Sequence, residues 1–353
     1  LNSLLTRDFS AWRKLHPLPG IALFLAIAAP WHVLASLHNP EFAPFYFVQE
    51  HFERFLTKVH GRVEPWWYFV PVLFAAALPW STLACHATVA QWNDPGDRGR
   101  ALRFLAIWCG FTLLFFSASG SKLPSYILPI LPAFALIVGA FLTRVTAMAM
   151  AIHATPTVLL AAAALALAPR VSGRADAETP LALLQAYERI LVGAASIWLL
   201  SGLIAVWLAR RKRIREAALS LAIGSFAMGM LAMLGHENLS PSNSAWHIAR
   251  QVKPMLAPDT PFYAVRYFEH TLPYYLQHTL TLVDYRDEMD FGLNQEPHLG
   301  VPTVAQFELR WRADADAFAV MTEDMRQQLE SRGLPMQIVA RDTRRVIIRK
   351  PRP

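Results

Sequence analysis

The sequence predicts a bundle of membrane-spanning α-helices followed by a small α/β domain outside the membrane. Three observations carry that fold class. Charged residues make up only 17% of the chain and hydrophobic residues 54%, whereas soluble globular chains hold about 25% charged residues. This deficit, with 11 Trp and 21 Phe, excludes a disordered tail or a fibrous repeat. Apolar stretches of span length recur as far as residue 235, and short strand-like runs then alternate with helical ones. The predicted division is therefore 1–235, a transmembrane helical region, and 236–353, a periplasmic α/β domain.

The first span is 20–37, GIALFLAIAAPWHVLASL, with no formal charge over 18 positions, about 27 Å as helix. Others are expected at 66–86, 101–117, 125–142, 147–168, 190–209 and 217–234, about seven in all. The span at 101–117 is marked by Arg103 near its start. The spans 125–142 and 147–168 are joined by a few residues around Arg144, which predicts a tight helical hairpin. Beyond 235, strands are expected at 261–266, 279–284, 317–321, 336–340 and 344–349, with helices at 243–255, 302–312 and 322–332. That alternation predicts a partly parallel sheet, and the bend Arg341-Asp342-Thr343 predicts a closing hairpin. No glycine-rich phosphate loop follows a strand, which argues against a nucleotide site.

The net charge of +7 is unevenly spread. Residues 236–353 carry 14 Lys+Arg against 15 Asp+Glu, so the excess belongs to the hydrophobic part. There it sets orientation, and nucleic acid is not needed to explain it. With seven spans, the N-terminal tail, 91–100, 143–146 and 210–216 share one side and, counting Arg103, hold 12 Lys+Arg. Loops 38–65, 118–124 and 169–189 hold 7 on the other side. The basic side is placed in the cytoplasm and the C-terminal domain in the periplasm. Cys85 and Cys109, the only two cysteines, read as small buried hydrophobes, with neither disulfide nor metal spacing.

Two outer loops could carry chemistry, because polar groups at the interface escape the hydrocarbon. Loop 38–65 combines Phe42, Phe45, Tyr46, Phe47, Phe52 and Phe55 with Glu50, His51, Glu53 and Arg54. Read as an α-helix from Pro44, it sets Phe45, Phe52 and Phe55 near one face and His51 beside Arg54. One reading is a juxtamembrane anchor; the other is a flap presenting His51 and Arg54 to a phosphorylated lipid head. Loop 118–124 carries a lone Lys122 among Ser117, Ser119, Gly120 and Ser121, followed by Pro124 and Tyr126. It reads either as a snorkelling lysine at a helix end or as an anion site.

The string SGSKLPSYILP at 119–129 resembles the signature of bacterial glycosyltransferase family 39. That family includes protein O-mannosyltransferase-like enzymes and lipid A 4-amino-4-deoxy-L-arabinose transferases. PWHVLASLHNPEF at 30–42, FYFVQEHFERF at 45–55, PWWYFVPVL at 65–73 and LPW at 78–80 resemble the family in the same order. TLPYYL at 271–276 and TLVDYRDEMDFGL at 281–293 resemble the periplasmic domain of the aminoarabinose branch. The resemblance implies the GT-C architecture. It also implies an inverting transfer of a sugar, aminoarabinose-like or another pentose or hexose, from a polyprenyl-phosphate donor. The acceptor would be lipid A or another periplasmic molecule, with membrane lipids around the enzyme and no nucleic acid partner. By resemblance, Lys122 and Tyr126 would line the donor cavity, and His51 and Arg54 would lie near the lipid phosphate. A divalent metal ion occurs near this loop in some members, where His51 would be the ligand to test. The family's acidic base belongs to an earlier outer loop with no counterpart in 1–19. The catalytic base is therefore expected upstream of Leu1, and the chain is expected to be a C-terminal fragment. The alternative is a non-catalytic membrane protein binding a lipid-linked sugar or a partner. A transporter is disfavoured by spans almost empty of ionisable residues apart from Arg103 and His153.

Overall fold

A computed structural model describes Ser3, Leu4, Phe9 and residues 15–56 and 63–351. Arg7, Arg13, Lys14, Lys58 and Arg62, counted above for orientation, and the side chain of Arg54 lie outside the described residues. The chain divides into two compact units, Leu1–Ala161 with Trp198–Phe226, and Ala162–Ile197 with Ala227–Pro353.

The first unit begins with α1 (Pro17–His38), an apolar helix with no buried residue and with Pro30 inside it. Next comes α2 (Pro44–Glu53), a π-helix that continues as one α-helical turn at Arg54–Leu56. The expected span at 66–86 is instead two helices, α3 (Phe69–Ala76) and α4 (Ser81–Gln91), bent by 102°. Pro79 falls in the break, where a missing N–H cannot continue a helical ladder. Arg103 does not interrupt α5 (Asp97–Ser117), because its guanidinium turns to the carbonyls of Trp92 at 2.8 Å and Asp94 at 3.0 Å. The hairpin partners are α6 (Ile130–Leu142) and α7 (Ala147–Leu167). Two long helices complete the apolar set, α8 (Leu181–Arg210) and α9 (Ile214–His236), of which residues 198–210 and 214–226 belong to this unit.

Among the described residues five helices are long and apolar enough to cross a membrane, or six if the bent pair counts as one span. The expectation of about seven is corrected here. Helix α6 has 13 residues, about 20 Å of rise, short of the roughly 30 Å hydrocarbon core. The core of this unit gathers Leu83, Leu102, Ile137, Phe141, Met150, Leu208 and Leu221 from six helices. Small residues let those helices approach closely, as Gly224 does where it meets Ser201. Cys109 packs half-buried against this core, but Cys85 is exposed, contrary to its expected burial.

The second unit holds a six-stranded sheet of order β3-β2-β1-β4-β6-β5. Its elements are α10 (Trp246–Val252), β1 (Phe262–Val265), α11 (Thr271–Leu276), β2 (Thr281–Val283), α12 (Asp290–Gln295) and β3 (Gly300–Val301). They continue as α13 (Val304–Ala313), β4 (Phe318–Met321), α14 (Glu323–Ser331), β5 (Gln337–Arg341) and β6 (Val346–Arg349). Strands β1 to β4 run parallel, and β6 lies antiparallel between β4 and β5, so the expected hairpin is present. Alternation along each strand fills two faces. Phe262, Leu282, Phe318 and Ile347 meet α10, α11 and α12 on one side. Tyr263, Val283, Ala319 and Ile348 meet Phe307, Trp311 and Leu329 on the other. Thr303 and Thr322 cap α13 and α14 by accepting from Gln306 N and Met325 N, which fixes where each crossover helix starts.

Candidate functional site

The two outer loops singled out by sequence meet in the first unit. The carbonyl of Phe55, in the helical turn after α2, accepts the amide of Gly120 at 2.8 Å and the hydroxyl of Ser119 at 3.2 Å. The Phe55 and Phe115 rings pack 4.8 Å apart beneath this junction. Ser119 also donates to the Ser121 carbonyl at 2.9 Å, closing a tight turn at the end of α5. Lys122 follows that turn, 6% exposed, and its ammonium donates to the Ser119 carbonyl at 2.6 Å. Among the described residues no carboxylate lies within ion-pair distance of it, and the buried hydroxyl of Ser121 has no hydrogen-bond partner. A snorkelling lysine would reach toward water, whereas this one is enclosed. A buried cation without an anion beside it is costly unless a ligand supplies the charge.

Tyr126 lies four residues on, in the turn Pro124–Ile127, with its ring 5.1 Å from Phe116. His51 sits on α2, exposed, with Nδ1 2.6 Å from the Tyr46 carbonyl. This contact spans five residues, in keeping with the π-helical turn, and it displaces the 3.6-residue face expected from sequence. Phe52 is 65% exposed while Phe55 packs inward, so the two do not share a buried face. No described contact joins His51 to Lys122.

Sequence reasoning missed His32. It lies on α1 among Phe42, Tyr46 and Phe47, with ring centroids 5.6 Å from Tyr46 and 5.8 Å from Phe47. A histidine inside an otherwise uncharged span was the available signal. His86 was missed as the partner of His153: Nδ1 of the first lies 2.8 Å from Nε2 of the second, and Thr82 Oγ1 lies 3.1 Å from the other ring nitrogen of His153. No group of three or more His, Cys, Asp or Glu that could hold a metal ion occurs among the described residues. His60, on the same loop as His51, lies outside the described residues.

In the second unit the acidic stretch after β2 forms exposed pairs: Arg266 with Asp284 at 3.1 Å, Arg286 with Asp290 at 2.7 Å and His270 with Glu288 at 2.9 Å. Open α/β sheets hold ligands at the edge where parallel strands end. Here β1 and β4 end beside the residue preceding β6, which is Arg345, 1% exposed. It lies 3.1 Å from Glu269 and 2.9 Å from Asp342, and it donates to the Ser242 carbonyl at 2.7 Å. Burial and the neighbouring Glu269 carboxylate push the Tyr267 phenol above its ordinary range. At β1 and β4 the chain's own ions fill this edge, while a cavity of about 390 Å³ lined by Asp284, Arg286 and Pro302 opens where β2 and β3 end.

Residues 248–350 match the model of the aminoarabinose transferase C-terminal domain. Over 131 residues it is 35% identical to an undecaprenyl phosphate-alpha-4-amino-4-deoxy-L-arabinose arabinosyl transferase of Pseudomonas fluorescens, covering 37% of this chain and 22% of that one. A transferase of the same description from Serratia proteamaculans is 35% identical over 122 residues, covering 35% and 22%. The crystal structure of ArnT from Cupriavidus metallidurans bound to undecaprenyl phosphate superposes with a TM-score of 0.89 at 34% identity. That match covers 98% of this chain and 63% of the ArnT chain. The apo structure of the same protein gives 0.86. Over 98% of its length the chain thus has the fold of that ArnT structure, the GT-C fold that the sequence motifs implied. The chain spans about three fifths of the solved structure's length.

Proposed function

We propose that this chain is part of a membrane glycosyltransferase. The enzyme moves 4-amino-4-deoxy-L-arabinose from undecaprenyl phosphate to lipid A or a similar periplasmic acceptor. The observation that carries the proposal is the enclosed Lys122 ammonium, without a carboxylate partner, in a fold matching ArnT bound to undecaprenyl phosphate. The charge asymmetry of the loops supports an inner-membrane protein with 236–353 as a periplasmic domain.

The reaction is an inverting displacement. The acceptor hydroxyl oxygen bonds to the anomeric carbon as the bond from that carbon to the phosphate oxygen breaks. The electron pair leaves on undecaprenyl phosphate, and the hydroxyl proton passes to a base. Negative charge grows on the departing phosphate, where fixed cations stabilise it without reorganising. Lys122 serves as the fixed cation, Tyr126 as a hydrogen-bond donor, and Arg54 and His51 approach the phosphate from the neighbouring segment. Glu41, Glu50 and Glu53 are carboxylates on that segment, and the base role is assigned to none of them.

Replacing Lys122 with alanine in the full-length enzyme tests the assignment. Removing a group that stabilises transition-state charge in a water-poor site costs about 2.7–4 kcal/mol. Transfer from the undecaprenyl-phosphate donor should therefore fall at least about tenfold while expression is unchanged. Near-normal turnover would return Lys122 to the role of a helix-end lysine.

A further inference from the structure

Another cleft of the first unit lies beside the basic run between α8 and α9. The run Arg210, Arg211, Lys212, Arg213, Arg215 joins α8 to α9 and places five cations in six residues. Among the described residues Glu216 is the acidic neighbour of this run, paired with Arg213 at 3.1 Å and within electrostatic reach of Arg215, and Arg211 stacks on the Trp207 ring. Orientation in the membrane explains a basic loop, but it does not require a cavity beside it. Such a cavity is present. A cleft of about 600 Å³ is walled by Trp80, Leu142, Val145, Ile214 and Ala218, with Arg215 as its charged lining residue. Trp80 enters from the bend between α3 and α4, Leu142 from the end of α6, and Ala218 from the first turns of α9. An apolar slot with an exposed guanidinium on its lining suits a molecule with a hydrocarbon body and an anionic head.

We infer that this cleft binds an anionic diacyl phospholipid from the leaflet facing residues 210–216. One acyl chain would lie along Trp80, Leu142 and Ala218, and the phosphate would pair with Arg215. The occupant is set by charge complementarity: five cations face one carboxylate, Glu216, and the excess suits an anion, while the walls suit an acyl chain. Basic pockets between membrane helices select anionic headgroups on this basis. The site is independent of the donor site, so it stands whether or not the proposed transfer reaction does.

The test uses the purified chain in detergent micelles, offered equimolar phosphatidylglycerol and phosphatidylcholine with identical acyl chains, with retained lipid counted by native mass spectrometry. Wild type should retain phosphatidylglycerol preferentially. Arg215→Gln should cut that preference about fivefold, the factor that about 1 kcal/mol per basic side chain gives. Ala218→Trp keeps every charge but fills the cleft, and should lose both lipids while its thermal transition stays near wild type. If Ala218→Trp does not fold, Ala222→Leu at the same wall replaces it. Equal retention of the two lipids by wild type would overturn the inference. So would an Arg210→Gln loss equal to that of Arg215→Gln, which indicates diffuse attraction, or full retention by the filled cleft. Displacement of phosphatidylglycerol by substoichiometric undecaprenyl phosphate would assign the cleft to the carrier lipid instead.

Discussion

Gly120 donates its amide to the carbonyl of Phe55 at 2.8 Å, tying two segments 65 positions apart in sequence. Ser119 adds a second bond to the same carbonyl. The segment bearing His51 is thereby held against the turn bearing Lys122 by backbone chemistry, which side-chain patterns do not reveal. Each such bond contributes about 1 kcal/mol. Gly120→Pro removes the donor and should raise amide hydrogen exchange across 44–56 about fivefold, with α5 to α7 unaffected. Unchanged exchange in 44–56 would mean that ring packing of Phe55 on Phe115 holds the segment by itself.

Under the proposed function, a substitution at Lys122 should separate stability from turnover. Its buried ammonium reaches one carbonyl and no carboxylate among the described residues. An apolar side chain of similar length, Lys122→Met, removes a desolvated charge, which is neutral or stabilising in comparable settings. The midpoint of thermal unfolding should hold or rise while donor turnover falls. A fall in both would make Lys122 a structural residue.

Hydropathy made most spans legible, because lipid exposure demands apolar residues whatever the packing. It is blind to direction, so the 102° turn between α3 and α4 escaped and 66–86 read as one straight span. Strands β1, β2, β4, β5 and β6 were visible as apolar runs, whereas β3 has two residues, beginning at Gly300, and carries no pattern of its own. The motif singled out Lys122 and Tyr126, and the structure encloses the first. The His86–His153 pair was not, because the partners are 67 residues apart and only folding brings them together. The π-helical winding of α2 broke the 3.6-residue period on which the face assignment of Phe45, Phe52 and Phe55 depended.

Close packing of α8 on α9 depends on Gly224. A Cβ there would stand 2.0 Å from the Ser201 hydroxyl oxygen and 2.1 Å from its Cβ, far inside van der Waals distance. Gly224→Ala should destabilise the helical unit by about 1–3 kcal/mol, the usual cost of overpacking. Ser201→Gly made in the same chain opens the space and should recover most of the loss. A double variant no better than the single one, measured by unfolding in detergent, would show that the helices separate instead of relaxing locally.

Arg345 is fully buried between Glu269 and Asp342 and reaches the Ser242 carbonyl. Arg345→Ala leaves two carboxylates facing each other without a cation. A broken buried pair of this kind costs about 3–5 kcal/mol. The α/β domain should then become sensitive to proteolysis between 236 and 350 at temperatures the wild type tolerates. Resistance equal to wild type would mean that the cluster is dispensable.

Glu323 gives the α/β domain an acid-sensitive ion pair. Hydrogen bonds from Arg326, then from Arg341 and Gln327, hold its carboxyl down at about 2, below the ordinary 4.5. A carboxylate whose acidity is raised by folding stabilises the native state above its unfolded pKa. The contribution fades as pH falls from about 4.5 through about 2. Because the group is 36% exposed, solvent screening reduces the effect to under about 1 kcal/mol. Glu323→Gln should therefore lower stability at pH 7 slightly and flatten the loss of stability of the α/β domain between pH 4.5 and 2. The Arg326–Glu330 pair at 2.8 Å remains in that variant, so the helix keeps one of its two acidic anchors. Denaturant unfolding at pH 7 and pH 3 checks the sign: the difference between wild type and variant must shrink on acidification, and a difference that grows would contradict the assignment.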